Sequence, residues 1–414
     1  MQPIPYGIQL PSNNALINGK NNFDCSTTNL SCVDNAGLAS FNFTAGKSHR
    51  LRLINPSAQA TMKFSIDDHI MTVIANDFVE VEPYNTSVVT LALGQRTDVI
   101  VHATGQPGDS YWMRTFAPPD CTYTYHNLGN YAQAIVYYTG GNATHGTNAT
   151  SGTAQPTSQA VDGWDNDYCG NDALSLTKPL YAMDPGQPST TETIVIDYAS
   201  NGTHMLWYMN NQTFRIDLND PILLDAINGN DTFDPIASVH NYGSNTSVRF
   251  IVENHSGEPH PMHLHGHNIF VLAEGYCTSA TNGTTVNSTA GVTTTAGTAA
   301  QTATMTVSST AAATPTTGSC WDGTIVNPSN PQRRDVQQLL PGGYIVLQWN
   351  QDNPGIWAFH CHIAWHISTG FLWNVLEQPD QIPNIDVPSG IHEVCKAWWD
   401  YTDNIVVDQI DSGE

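Results

Sequence analysis

Apolar and polar positions along this chain alternate in short runs. From Phe41 onward the runs HRLRLIN, MTVIAND, SVVTLALG, TDVIVHA and AQAIVYY are each bounded by turn-forming residues. Alternation with period two predicts strands with one face buried, and their regular spacing predicts antiparallel sandwiches in place of βαβ units. A second series follows with ETIVIDY, MLWYM, SVRFIVEN, NIFVLAEG, YIVLQWN and GFLWNVLE. Between the two series, residues 139–165 are rich in Gly, Thr, Ser and Asn and lack apolar periodicity, as a linker does. The pattern predicts an all-β chain of two β-sandwich domains, 1–138 and 166–414, with no strong helical stretch. Residues 278–319, flanked by Cys277 and Cys320, are Thr- and Ser-rich with too little bulky apolar content for a core. They read as a surface insert that the flanking cysteines can close, or as a retained non-coding segment.

Composition narrows the function classes. The 414 residues carry 37 acidic against 13 basic side chains, a net charge of −24, which repels phosphate backbones and anionic membranes. Nucleic acid and membrane partners are therefore not expected, and no apolar run of about 18 residues suggests a span. Asn-x-Ser/Thr acceptors recur, among them Asn29, Asn42, Asn85, Asn201, Asn211, Asn230 and Asn254, alongside eight cysteines. Both features point to a secreted glycoprotein. The first residues, MQPIPYGIQL, show no signal peptide, so the reading places the natural start upstream.

The chemistry is concentrated in two stretches, EPHPMHLHGHN and AFHCHIAWH. In a strand alternate residues face opposite sides, so His360 and His362 point one way and Cys361 the other. His263 and His265 likewise share a face, with Leu264 opposite. His260 and His366 lie outside these triplets and can reach the cysteine side. Two imidazoles and one thiolate, from His260, Cys361 and His366, are the donor set of a blue-copper centre. Phe371, at the axial position, cannot coordinate, which raises the reduction potential of a copper held there. Zinc is the competing occupant, but structural zinc sites rarely use one cysteine flanked by outward-facing histidines.

HPMHLHGHNIFVLAEG and NPQRRDVQQLLPGGYIVLQWNQDNPGIWAFHCHIAWHISTGF closely resemble the third domain of ascomycete-type fungal laccases, which are multicopper oxidases. NNALINGK, KSHRLRLINPS, HIMTVIANDFV and GQRTDVIVHA resemble the second domain of that family. The resemblance implies Greek-key cupredoxin sandwiches, a type 1 copper on His260, Cys361 and His366, a type 2 copper on His263, and a type 3 pair on His265, His360 and His362. It also implies oxidation of phenols or aromatic amines with O2 reduced to water. A first cupredoxin domain would supply two further His-x-His pairs. His49, His69, His102, His126 and His145 form no such pair and read as solvated or satisfied side chains, so the chain reads as the second and third domains with the first missing. Setting Cys361 aside leaves seven cysteines. Cys25 with Cys32, Cys121 with Cys169 and Cys277 with Cys320 can pair by proximity or resemblance, and Cys395 is left as the family's link to the first domain.

Three functions compete: the laccase activity, a non-catalytic blue-copper electron carrier, and an oxidase of metal ions or ascorbate. Phe371 speaks against the ascorbate form. Asp67 lies where some laccases carry a carboxylate lining the phenol pocket, where it can accept a proton. Its other reading, shared with Asp68, is an ordinary turn acid. The tail Asp411–Glu414 reads as a poor channel plug, because Glu414 adds a carboxylate beside the terminal one, or as a frayed end.

Overall fold

The computed structural model describes residues 14–121, 130–140, 155–164, 168–244, 246–277 and 319–402. Most of the 278–319 insert, His126, His145 and the 411–414 tail lie outside these residues.

Nine strands make the N-terminal half: β1 (Ala39–Thr44), β2 (Ser48–Ile54), β3 (Met62–Ile66), β4 (Met71–Asn76), β5 (Val79–Thr86), β6 (Val89–Leu91), β7 (Arg96–His102), β8 (Ser110–Phe116) and β9 (Tyr131–Thr139). They form two sheets, ordered β1-β9-β8-β3-β6 and β2-β7-β4-β5. The chain crosses between the sheets at every step except the hairpins β4–β5 and β8–β9, and the inward residues Ile66, Met71, Val73, Val99, Val101 and Val136 are fully buried between them. The alternating burial of β7 is the sequence pattern seen directly.

The C-terminal half repeats the plan with β10 (Thr190–Ser200), β11 (Met205–Met209), β12 (Val239–Asn241), β13 (Ser247–Asn254), β14 (His260–Leu264), β15 (Ile269–Tyr276), β16 (Gln332–Arg334), β17 (Val336–Leu339), β18 (Gly343–Asn350), β19 (Gly355–Cys361) and β20 (Leu372–Glu377). The sheets run β11-β10-β13-β18-β15-β16 and β12-β20-β19-β14-β17. All eight residues of β13 are buried, because it lies inside its sheet with further protein over both faces.

Two findings depart from the sequence expectation. A 14-residue helix, Ser389–Thr402, follows the second sandwich. Its Trp398 and Trp399 indoles donate to the Asn219 side chain and carbonyl, and Lys396 pairs with Asp400 one turn on. Asn254, read as a glycan acceptor, is fully buried and its amide donates to the carbonyls of Glu258 and Leu340, so it is closed to modification. Asn29, Asn42, Asn85, Asn201, Asn211 and Asn230 are exposed. The disulfides are Cys25–Cys32, Cys121–Cys169 and Cys277–Cys320, and Cys361 and Cys395 are free. Among the described residues no helix is long and apolar enough to cross a membrane.

The two halves are locked by ionic and apolar contacts. Arg96 on β7 binds Asp335 through two 2.7 Å hydrogen bonds, and Arg334 donates to Asp77 at 2.7 Å. Leu93, in the turn between β6 and β7, belongs to the C-terminal apolar core. The Arg334 and Asp77 side chains are 3% and 0% exposed, and although Arg96 also stands 3.6 Å from Asp77, removing Arg334 takes away the shorter and more buried of its two cationic partners. Arg334→Met should lower stability by about 3–5 kcal/mol, with Arg334→Met/Asp77→Leu recovering part of the loss. Urea unfolding of the two variants checks this; a double variant no more stable than Arg334→Met would contradict it.

Candidate metal centre

Strands β14 and β19 pair antiparallel with Met262 opposite Cys361 and His263 opposite His360. That register puts Cys361 on the core side, facing His260 at the start of β14. A short helix, Ala364–Ser368, follows β19 and turns His366 back to the same point. Cys361 Sγ lies 3.7 Å from His260 Nδ1 and 3.4 Å from His366 Nδ1. A trigonal set around one ion, with bonds of about 2.0 Å to nitrogen and about 2.3 Å to sulfur, has edges of roughly 3.5–3.7 Å. The three side chains therefore stand at the spacing a single soft cation requires.

The environment supports the same fit. His260 and Cys361 are 0% exposed and His366 is 1% exposed. Burial pushes the Cys361 thiol well above its usual range, drives His260 far below the imidazole range and lowers His366 to about 3. Without a cation the cluster is neutral; with one, the thiolate gains a partner that offsets its desolvation. Ser256 Oγ sits 2.8 Å from His260 Nε2 and fixes that ring with Nδ1 toward the sulfur. Phe371 is fully buried with its ring centroid 4.9 Å from that of His260, and its backbone N–H donates to the His366 carbonyl. Nothing at that position offers a donor atom.

On the opposite face, His263, His265 and His360 offer ligand atoms within 4.8 Å of one another. His265 Nε2 is 2.9 Å from His360 Nε2. His263 Nδ1 donates to the Asp335 carbonyl at 2.7 Å and His360 Nδ1 to the Cys361 carbonyl at 2.8 Å, so both rings present Nε2. His362 stands slightly apart, with ring centroids 5.7 Å from His263 and 5.9 Å from His360. Burial lowers His360 to about 3, first by desolvation and then through neighbouring imidazoles.

Several residues that shape the centre were not singled out from sequence. His267 donates from Nδ1 to the His265 carbonyl at 2.9 Å and lies 3.0 Å from Glu377 through Nε2. Its signal was present, since His267 is the next residue of the same period-two series. Gly94 has φ +77°, and a Cβ added there would lie 2.7 Å from His362 Nε2. Trp207 packs on His260, His366 and Phe371. The Gly94 and Trp207 contacts span long sequence separations, which no local pattern reports.

Other candidates do not join either set. His49 stacks on Phe43, His69 bonds Tyr138, and His102 bonds Ser48. Asp67, expected at the phenol pocket, is fully buried and bound by Arg114 at 2.7 and 2.8 Å and by Ser158 at 2.9 Å. Its three donors hold this carboxylate in an ion pair inside the N-terminal half. The carboxylate that does face His366 is Glu258, 3.7 Å from Nε2.

Residues 4–141 and 184–381 each match a multicopper oxidase family profile. The chain belongs to the multicopper oxidase family. Laccase-2 of Botryotinia fuckeliana is 30% identical over 409 residues, covering 97% of this chain and 61% of that protein. A laccase of Neurospora crassa is 31% identical, covering 97% and 58%. The crystal structure of a laccase from Botrytis aclada matches with a TM-score of 0.76 and 28% identity, covering 99% of this chain and 67% of that one. The chain thus spans about three fifths of the length of these curated relatives. Multicopper oxidases bind copper, and the His260, Cys361 and His366 set is consistent with a type 1 site of that family.

Two expected outcomes follow. Gly94→Ala adds a methyl at 2.7 Å from His362 in a left-handed backbone. It should weaken metal binding at the second histidine set by at least about tenfold, about 1.4 kcal/mol, while leaving the cysteine-centred set intact, as metal titration followed by absorption would resolve. The second concerns pH in the metal-free protein. His360 and His366 titrate near 3 when folded and near 6.5 when unfolded, so below about pH 6.5 the unfolded chain binds more protons. Stability should fall as pH drops from about 6.5 toward 3, seen as a lower urea midpoint in acid. An equal midpoint across that range would contradict the assignment.

Proposed function

We propose that this chain acts as a laccase-like copper oxidoreductase, taking single electrons from phenols or aromatic amines and passing them toward O2. The observation that carries the reading is the buried His260, Cys361 and His366 set joined back-to-back with the histidine set by the peptide bonds of one strand. A copper ion bound there would supply a one-electron acceptor coupled to the thiolate. His260 and His366 would hold the ion and Cys361 would give the soft donor, while Phe371, packed beside them, has no donor atom to offer, which would favour a high potential. On the other face His263 is assigned to a type 2 copper and His265, His360 and His362 to a type 3 pair. His360 and His362 are both peptide-bonded to Cys361, so the two sets share a direct covalent connection.

The chain's own His-x-His pairs supply four histidines to that second cluster. O2 reduction to water therefore rests on further histidines from another cupredoxin domain, in the same polypeptide or a separate one. Residues 1–138 and 166–414 are taken as the two cupredoxin units, with 139–165 between them. Ser158 and Trp164 of that connection pack on Asp67, Phe116 and Tyr131 of the first unit. Exposed acceptor asparagines and three disulfides support secretion as a glycoprotein.

A second reading, a blue-copper electron carrier without a working oxygen site, rests on the cysteine-centred set alone, which is buried and complete in its three donors. The same experiment separates them. The copper-loaded chain should show an intense thiolate-to-copper band in the visible, and Cys361→Ser should lose it while folding normally by circular dichroism. A visible spectrum unchanged in Cys361→Ser would remove the assignment. Oxygen uptake with a phenol, measured alone and with an added first-domain fragment, then decides between oxidase and carrier.

A further inference from the structure

The cysteine-centred donor set has no open edge of its own. His260, Cys361 and Phe371 are 0% exposed and His366 is 1% exposed, so an electron arriving from a large donor has to cross protein. One series of aromatic contacts makes that crossing. Trp207, on β11, is 2% exposed, and its ring lies 4.6 Å from His366, 4.7 Å from His260 and 5.1 Å from Phe371, centroid to centroid. On its other side stands Tyr198, on β10, with ring centroids 4.5 Å apart. Tyr198 is 36% exposed.

The placement is built into the sheet. Tyr198 and Trp207 are direct partners across the antiparallel β10–β11 pair and so share one face. The Trp207 backbone N–H donates to the Thr369 carbonyl at 2.8 Å, tying this hairpin to the turn that follows His366. Gly370 completes the tie, since its carbonyl accepts from the Phe214 N–H. Solvent, phenol, indole and imidazole are thereby held in fixed succession. Tyrosine and tryptophan are also the protein side chains that give up one electron most readily, and an exposed phenol can release its proton to water at the same time.

We propose that Tyr198 is a surface oxidation site, relayed by Trp207 to the copper held at His366, which serves phenolic donors too large to approach His366. This rests on the type 1 assignment above. In the inward step one electron leaves Tyr198 by way of Trp207 and reduces cupric to cuprous ion, and the Tyr198 phenolic proton goes to water. In the outward step a phenolic donor gives Tyr198 one electron and one proton and departs as a phenoxyl radical. The sum is one phenol and one cupric ion giving one phenoxyl radical, one proton and one cuprous ion. The bond broken is the donor O–H.

The test uses the copper-loaded full chain under anaerobic conditions, following bleaching of the blue band after mixing. The donors are a small methoxyphenol and the same phenol tethered to a dextran larger than the protein. Tyr198→Phe preserves the ring contact with Trp207 and removes the oxidisable phenol. The ratio of dextran-bound to free phenol rates should fall at least about tenfold in Tyr198→Phe, with the blue band itself unchanged. A second readout does not use donor turnover: a radical trap added to the oxidised protein should leave an adduct mapped by peptide mass spectrometry to Tyr198, absent in Trp207→Phe. An unchanged rate ratio with no adduct overturns the relay alone. Absence of the blue band in the unaltered chain overturns the type 1 assignment and the relay with it.

Discussion

Side-chain alternation along β19 is the constraint on which both donor sets depend. A strand places consecutive residues on opposite faces, so one three-residue run can serve two centres with no loop between them. The register with β14 makes this productive: Met262 opposite Cys361 brings His260 to the thiol, and His263 opposite His360 gathers the imidazoles behind. A one-residue slip would exchange the faces and leave a cysteine among the histidines and a histidine in the core. The register is protected by burial of Leu264 and Phe359, each 1% exposed and paired across the same ladder.

Burial then decides what the centre will accept. Thiol and imidazole donors in an apolar surround disfavour their own charged forms, which is why the thiol is pushed up and the imidazoles down. Such a pocket stays neutral until a cation enters and gains most from a soft one that suits sulfur. Orientation is prepaid by backbone and hydroxyl partners on the far ring nitrogens, as Ser256 does for His260 and the Asp335 carbonyl for His263.

Much of this is legible in the amino-acid sequence. Period-two runs located the strands of both halves, and the spacing of the histidines around Cys361 pointed to the residues that the β14–β19 pair brings together, because strand geometry converts spacing into facing. Three things were not legible. The helix Ser389–Thr402 carries Val, Cys and two Trp, whose weak helix preference conceals the pattern, and its anchor Asn219 is remote in sequence. Asp67 sat in a suggestive stretch, but its partners Arg114 and Ser158 come from a different strand and from the connecting segment, and they convert it into an ion pair. Asn254 has the acceptor triplet, yet the triplet says nothing about burial. In each case a long-range contact overrode a local reading.

The least legible feature is the part played by the N-terminal half, which holds none of the donor atoms. Asp335 stands between β16 and β17, and its carbonyl receives the His263 Nδ1–H. That carbonyl is fixed from both sides: the Asp335 carboxylate is gripped twice by Arg96, and the preceding Arg334 is bound to Asp77. The Gln95 side chain donates to the next carbonyl, Val336, at 3.0 Å. Asp77, Gln95 and Arg96 all belong to the first sandwich, as does Gly94, whose lack of a side chain leaves room for His362. The second histidine set is therefore oriented by a neighbour that lends no residue to it. Its geometry is a property of the contact between the two sandwiches, so the C-terminal half alone would keep the cysteine-centred site better than the histidine one.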